Sequence, residues 1–231
     1  MAIYMWREYD GLCFTANTAG SVVMLWQNGA PTAVTFQTST DWNTRTDYTL
    51  STNITLSNEG DKVYFRNKSE TQTGLNDGNN RYQFEITGWV DASWDIWYLL
   101  CKNWASTLTS NYCFAYLFAT AWLKTPPPLK FTTLTEWCYQ NMFRASWITS
   151  LPSLPATTLP DMCYQQMFFM CSNIKLSTTQ DGTYTNEYRI PTTWTGTEWA
   201  YSLNSMFYGT WWTFTSDPTI NTTYYTSNQV I

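Results

Sequence analysis

CFAYLF (Cys113–Phe118), CYQNMF (Cys138–Phe143) and CYQQMF (Cys163–Phe168) decide the reading of this chain's second half, because they recur 25 residues apart. TTLTEW (132–137) and TTLPDM (157–162) precede the last two copies, and STLTSNY (106–112) precedes the first. SLNSMF (202–207) is a fourth copy, displaced by an insertion over roughly 176–198. A repeat of this length predicts stacked supersecondary units that share one continuous core, with irregular terminal units. Leu134, Cys138 and Met142 follow an i, i+4, i+8 spacing, as do Leu159, Cys163 and Met167. That spacing predicts one face of a short helix in each unit, broadened by Tyr139 and Phe143. Pro160 suits a first helical position. The following LPSLPATTL (151–159) is too rich in proline for a central strand, so each unit has room for only a short extended segment.

Outward from the repeats, residues 1–92 read as a separate domain. LCFTA, SVVMLWQ, TAVTFQT, DYTLS, NITLS, DKVYFRN and RYQFEITGWV are short runs rich in β-branched and aromatic residues, separated by turn clusters such as NGAP and SNEGD. Strands at this spacing predict an antiparallel β-sandwich. Within DKVYFRN, Val63 and Phe65 alternate with Tyr64 and Arg66, as in a half-buried strand. The expected architecture is mainly β with short helices: a β-sandwich over 1–92, then a solenoid with a cap over 93–231.

Composition narrows the function. The 231 residues carry a net charge of −5, and only 13% of them are charged. No basic stripe is present, which argues against nucleic acid as a partner. No apolar run is long enough to insert in a membrane. Histidine is absent, which removes Ser-His-Asp and Cys-His catalysis and every imidazole metal site. The six cysteines, at 13, 101, 113, 138, 163 and 171, read as buried thiols, with Cys113, Cys138 and Cys163 in one column and Cys171 on a neighbouring ladder. The N-terminal MAIYMWREYDG has no signal-peptide core, which predicts synthesis in the cytoplasm. Asp91, Asp95, Glu187 and Glu198 are the acidic residues weighed as a glycosidase pair. No spacing singles two of them out, and solvated loop charge explains them. No catalytic residue, metal or cofactor is expected.

The excess lies in the aromatics: 14 Trp and 16 Tyr, with aromatic residues making up 18% of the chain. Counted from the anchors Cys113, Cys138, Cys163 and Ser202, one column holds Trp122, Trp147, Ser172 and Trp211. The residue before each anchor gives a second column, Tyr112, Trp137, Met162 and Tyr201.

At LPATTLPDMCYQQMFFMCSNI the chain resembles the BspA-like leucine-rich-repeat proteins of gut bacteria and their phages, whose units are similar to LPATTL…CY..MF.GCTSL. LCFTANTAGS, NITLSNEGDKVYFRN and YQFEITG resemble the β domain that precedes such repeats, and MFYGTWWTFTSDPTINTTYYTSNQV resembles their C-terminal cap. The resemblance implies adhesion or recognition without naming a ligand, and the start of the chain is closer to the phage-encoded forms. Where family units carry a small Gly-Cys-Thr-Ser turn, this chain has ATAWL (119–123) and ASWI (145–148), and Trp211-Trp212 stand where two glycines are usual.

Two readings of the Trp columns compete: a thickened core, or an aromatic stripe on an outer face. The Leu/Cys/Met/Phe set already supplies an inward face, and forcing an indole into a packed interior costs about 1–3 kcal/mol. The outer stripe is therefore the expectation, with Trp122, Trp147, Trp211, Trp212, Trp137, Tyr112 and Tyr201 contacting a partner and Arg144 a polar anchor beside them. The expected partner is a protein or glycan receptor, as for a phage receptor-binding protein or adhesin. The alternative is self-assembly, in a homo-oligomer or a virion. Trp in place of small turn residues also fits a hypervariable or an engineered surface.

Overall fold

The computed structural model describes residues 11–41, 43–103, 107–191, 201–210 and 217–231. Trp211, Trp212 and Glu198 lie outside the described residues.

The chain is mainly β. Its first part contributes β1 (Leu12–Ala16), β2 (Ser21–Asn28), β3 (Phe36–Ser39), β4 (Thr46–Asp47), β5 (Ile54–Leu56), β6 (Lys62–Asn67), β7 (Arg81–Thr87) and β8 (Val90–Trp94). Strands β5-β2-β7 form one sheet. A second sheet runs β4-β3-β6-β1-β8 and ends on β9 (Leu123–Thr125), which joins β8 in parallel. The alternation in DKVYFRN turns inward as expected: Val63 and Phe65 are fully buried. Phe84 of β7 meets Phe14 of β1 at 4.8 Å and Phe65 of β6 at 5.1 Å, both edge to face, so rings from the two sheets interlock in one core. Tyr64 points the other way and is covered by Trp94, stacked at 5.1 Å. The chain passes from β7 to β8 through Gly88, whose φ of 78° places it in the left-handed region. A Cβ there would lie 2.6 Å from the Ser21 hydroxyl, so glycine is also required by space.

The repeated segments are not helices. Met142 N–H donates to Tyr139 O and Arg144 N–H to Asn141 O, three residues back, while Tyr139 N–H and Asn141 N–H donate to Cys163 O and Gln165 O of the next unit. The same alternation runs from Tyr112 to Ala121, where Phe114, Tyr116 and Phe118 donate to Cys138, Gln140 and Met142. Odd and even amides are thus satisfied in different directions, one along the segment and one across to its neighbour. Each segment is a ribbon of successive turns lying flat against the next, and from Trp137 to Ser146 every backbone N–H has a partner. The geometry requires positive φ at every fourth residue: Tyr112, Tyr116 and Thr120, then Trp137, Asn141 and Ala145, then Met162, Gln166 and Met170. This is the third position of a type II turn. A four-residue conformational repeat places i, i+4 and i+8 on one face as a helix does. For this reason the spacing of Leu134, Cys138 and Met142 pointed to a helix that does not form. Among the described residues the one helical turn is 3-10, Ile96–Leu99, capped by the Asp95 carboxylate accepting from Trp97 N–H at 2.9 Å.

The ribbons stack through ladders of like side chains. Phe84, Phe118, Phe143, Phe168 and Phe207 form one column, with centroid spacings of 5.6, 5.6, 5.7 and 5.3 Å and nearly parallel rings. The column begins in β7, so the core of the first part continues without a break into the repeats. Phe114, Tyr139 and Tyr164 form a second column at 5.7 Å spacing. All six cysteines are free and buried. Cys171 lies one rung from Ser146, its sulfur 3.6 Å from the hydroxyl. Burial pushes the Cys113 and Cys171 thiols up to about 12, and Cys138 and Cys163 up as well.

The extended segments after the ribbons are short: β10 (Ser150–Leu151) and β11 (Leu176–Ser177). The insertion adds β12 (Asn186–Arg189). The C-terminal strands β13 (Thr223–Thr226) and β14 (Gln229–Val230) return alongside them, β13 between β11 and β12, and β14 parallel to β10. Asn228 fixes that return: its amide donates to Thr149 O and Asn173 O and accepts from Lys175 N–H.

Candidate functional site

The ribbon geometry separates the two aromatic columns. Trp122 and Trp147 occupy the far end of the first and second ribbons, where the chain leaves the last turn for its extended segment. Ala121 and Ser146, the residues before them, face the core, so the two indoles face outward, each 43% exposed. Their rings lie 5.9 Å apart. A third indole completes the group from the first part of the chain. Trp89, next to Gly88, sits 5.8 Å from Trp122 and 6.1 Å from Trp147, edge-on to the latter. Its backbone is held by three contacts: Trp89 N–H donates to the Thr18 hydroxyl, and Asn17 N–H and the Ser21 hydroxyl donate to Trp89 O. The first ribbon is in turn locked to β7 and β8, since Trp122 N–H donates to Ile86 O and Val90 N–H to Trp122 O.

Beside this group lies an open cavity of about 320 Å³ lined by Asn17, Thr18, Trp89, Lys124 and Thr149. Thr149 follows Trp147 by two residues and Lys124 follows Trp122 by two, so both project from the same outer edge. The Asn17 carboxamide makes no hydrogen bond among the described residues, and its Nδ2 is buried. Lys124 forms no ion pair among the described residues. Indole faces and unpaired polar groups therefore converge on one edge.

The other column is arranged differently. Tyr112 and Trp137 stack face to face at 4.8 Å and 3°. Trp137 Nε1–H donates to the Met162 sulfur at 2.7 Å. One face of each ring and the Trp137 donor are thus used within the column, Tyr112 and Trp137 are partly buried, and Tyr201 at its end is exposed. Arg144 does not reach the Trp147 edge: its guanidinium lies 4.9 Å over the Phe169 ring, which itself stacks on Tyr208. Met170 and Tyr208 are also exposed. Trp211 and Trp212, the remaining residues of the expected stripe, are not among the described residues.

Sequence reasoning missed Trp89, Asn17, Thr18, Lys124 and Thr149. Trp89 stands outside the repeat, and no spacing connects it to Trp122. The expected columns carried no information on which strand of the first part would lie against the first ribbon. Asp95 caps the 3-10 turn and faces Lys130 at 3.6 Å, while Glu187 lies on β12. Among the described residues no cluster of three His, Cys, Asp or Glu side chains is placed to hold a metal, and no helix is long and apolar enough to cross a membrane.

Comparison with protein-family models, with curated proteins and with solved structures returned no match to this chain.

Proposed function

We propose that the protein is a non-enzymatic recognition protein, a BspA-like leucine-rich-repeat solenoid built onto a β-sandwich, of the receptor-binding or adhesin kind carried by phages. The observation that carries this reading is the Trp89–Trp122–Trp147 group: three indoles from separate parts of the chain, gathered on an outer edge, with Trp122 and Trp147 exposed and Trp89 partly buried beside them. Exposed, rigid aromatics supply contact area at low conformational cost and dominate binding surfaces. The stacked 25-residue ribbons and the two ring-interlocked sheets support the architectural part of the reading. The receptor is a cell-surface glycan or protein.

The test uses the full chain on a panel of bacterial capsular polysaccharides, O-antigens and peptidoglycan, and on whole cells, by surface plasmon resonance and labelled-protein binding. The double variant Trp122→Ser/Trp147→Ser is expected to lose binding at a stability cost well below that of Phe143→Ala, which removes a ring from the middle of the Phe ladder and costs about 3–5 kcal/mol. Undiminished binding by the double variant refutes the reading, as does a melting-temperature loss equal to that of Phe143→Ala. If light scattering shows a concentration-independent oligomer that the double variant dissolves, the edge is a self-assembly interface instead.

A further inference from the structure

We infer that the cavity beside Trp89 is a subsite for a carboxylate-bearing sugar residue of a surface glycan. This rests on the recognition reading above and commits it to one ligand chemistry. The first argument is size. About 320 Å³ is at the lower end of the range for small-ligand sites, enough for a single ring and its substituents but not for a stretch of folded protein. The second is the kind of lining. A pyranose offers an apolar C–H face and a rim of hydroxyls, and the cavity offers an indole wall at Trp89 with polar groups around it. Trp122 and Trp147 extend that wall beyond the cavity, so neighbouring residues of an oligosaccharide find further ring faces.

The third argument separates groups with work inside the fold from those without. The Thr18 hydroxyl accepts from Trp89 N–H and lies 3.1 Å from the Ser21 hydroxyl, so it positions Trp89. The Thr149 hydroxyl donates to Lys124 O. Lys124 remains: an exposed ammonium with no ion pair among the described residues, beside an Asn17 whose Nδ2 is buried and without a hydrogen-bond partner. An exposed ammonium in the lining selects an anionic acceptor over a neutral hydroxyl, because a charge-assisted hydrogen bond is roughly twice as strong as a neutral one. Asp91, whose register partner is Thr125, lines no part of the cavity and makes no ion pair with Lys124. The low charge of the chain leaves Lys124 as the cation of this lining. Carboxylated pyranoses come from two sources, sialic acids and uronic acids, and the chemistry of the site is common to both.

The experiment titrates the full chain by calorimetry with trigalacturonate, its methyl ester, sialyllactose and lactose. One acid and its neutral counterpart are expected to differ by about tenfold in Kd, with the gap closing at high salt. Lys124→Gln is expected to abolish the difference by weakening the acid alone. Whether trigalacturonate or sialyllactose gives the gap identifies the source. Equal binding of acid and ester, with both lost in Trp122→Ser/Trp147→Ser, overturns the anionic subsite and leaves the recognition reading standing. The same split follows if none of the four sugars binds while the double variant still loses binding on the polysaccharide and cell panel. If that panel is also blank for the unmodified protein, both fall.

Discussion

Ala145 and Gly209 hold the same place in two different ribbons, and replacing each by the other should move stability in opposite directions. Both lie where the ribbon demands positive φ, 52° at Ala145 and 72° at Gly209. An L-residue with a Cβ in the left-handed region carries a penalty of about 1–2 kcal/mol, whereas glycine carries almost none. Glycine in turn loses more backbone freedom on folding, about 0.5–1 kcal/mol relative to alanine. The difference predicts that Ala145→Gly stabilises the protein by about 0.5–1 kcal/mol. Gly209→Ala reverses both terms and adds crowding, since its new Cβ would lie 3.0 Å from Met170 Cγ and 3.5 Å from Met170 Cα. The net cost is about 1–2 kcal/mol. For a chain of this length 1 kcal/mol corresponds to roughly 2–4 °C in Tm. Urea unfolding read by tryptophan fluorescence, with unchanged m-values, is the assay. The reasoning is refuted if Ala145→Gly destabilises by more than about 1 kcal/mol, or if Gly209→Ala is neutral. Either outcome would mean that these residues do not occupy the left-handed turn position.

Two further outcomes test the core. The Tyr139 and Tyr164 hydroxyls are buried without a hydrogen-bond partner among the described residues, so Tyr139→Phe should be neutral or stabilising by up to about 1–3 kcal/mol in chemical denaturation; a loss of more than 1 kcal/mol would show that the hydroxyl is bonded. Stability should be flat up to about pH 9 and fall above it. Burial raises the core thiols, with Cys113 and Cys171 pushed up to about 12 from an ordinary value of 9.0. Above pH 9 the unfolded chain therefore releases thiol protons that the folded chain retains. Each such thiol contributes a slope of about −1.4 kcal/mol per pH unit. Urea midpoints at pH 8 and pH 10.5 check this, and an unchanged midpoint would contradict burial of the thiols.

The sequence by itself determined the repeat and its inward face. Cys113, Cys138 and Cys163 recur with Phe118, Phe143 and Phe168, and each set becomes a buried column because stacked units place equivalent residues one above another. The alternation in DKVYFRN likewise fixed which side of β6 meets the core. The local conformation of each unit was beyond reach. A helix and a ribbon of alternating turns both bring i and i+4 to one face, and what separates them is the direction of every second amide. That amide bonds across to a neighbouring unit, which exists only once the units are stacked. The same limit governed the site. Trp122 and Trp147 were legible as a column because they share a register, whereas Trp89 and Asn17 join them only because β9 pairs with β8 and the Phe ladder begins at Phe84. Nor did the sequence distinguish the open Trp122/Trp147 edge from the closed Tyr112/Trp137 stack, since both are aromatic every 25 residues. Tertiary structure decided it: flat stacking and the donation to Met162 turn one column in on itself, while the other turns outward beside a cavity that holds the unpaired Lys124.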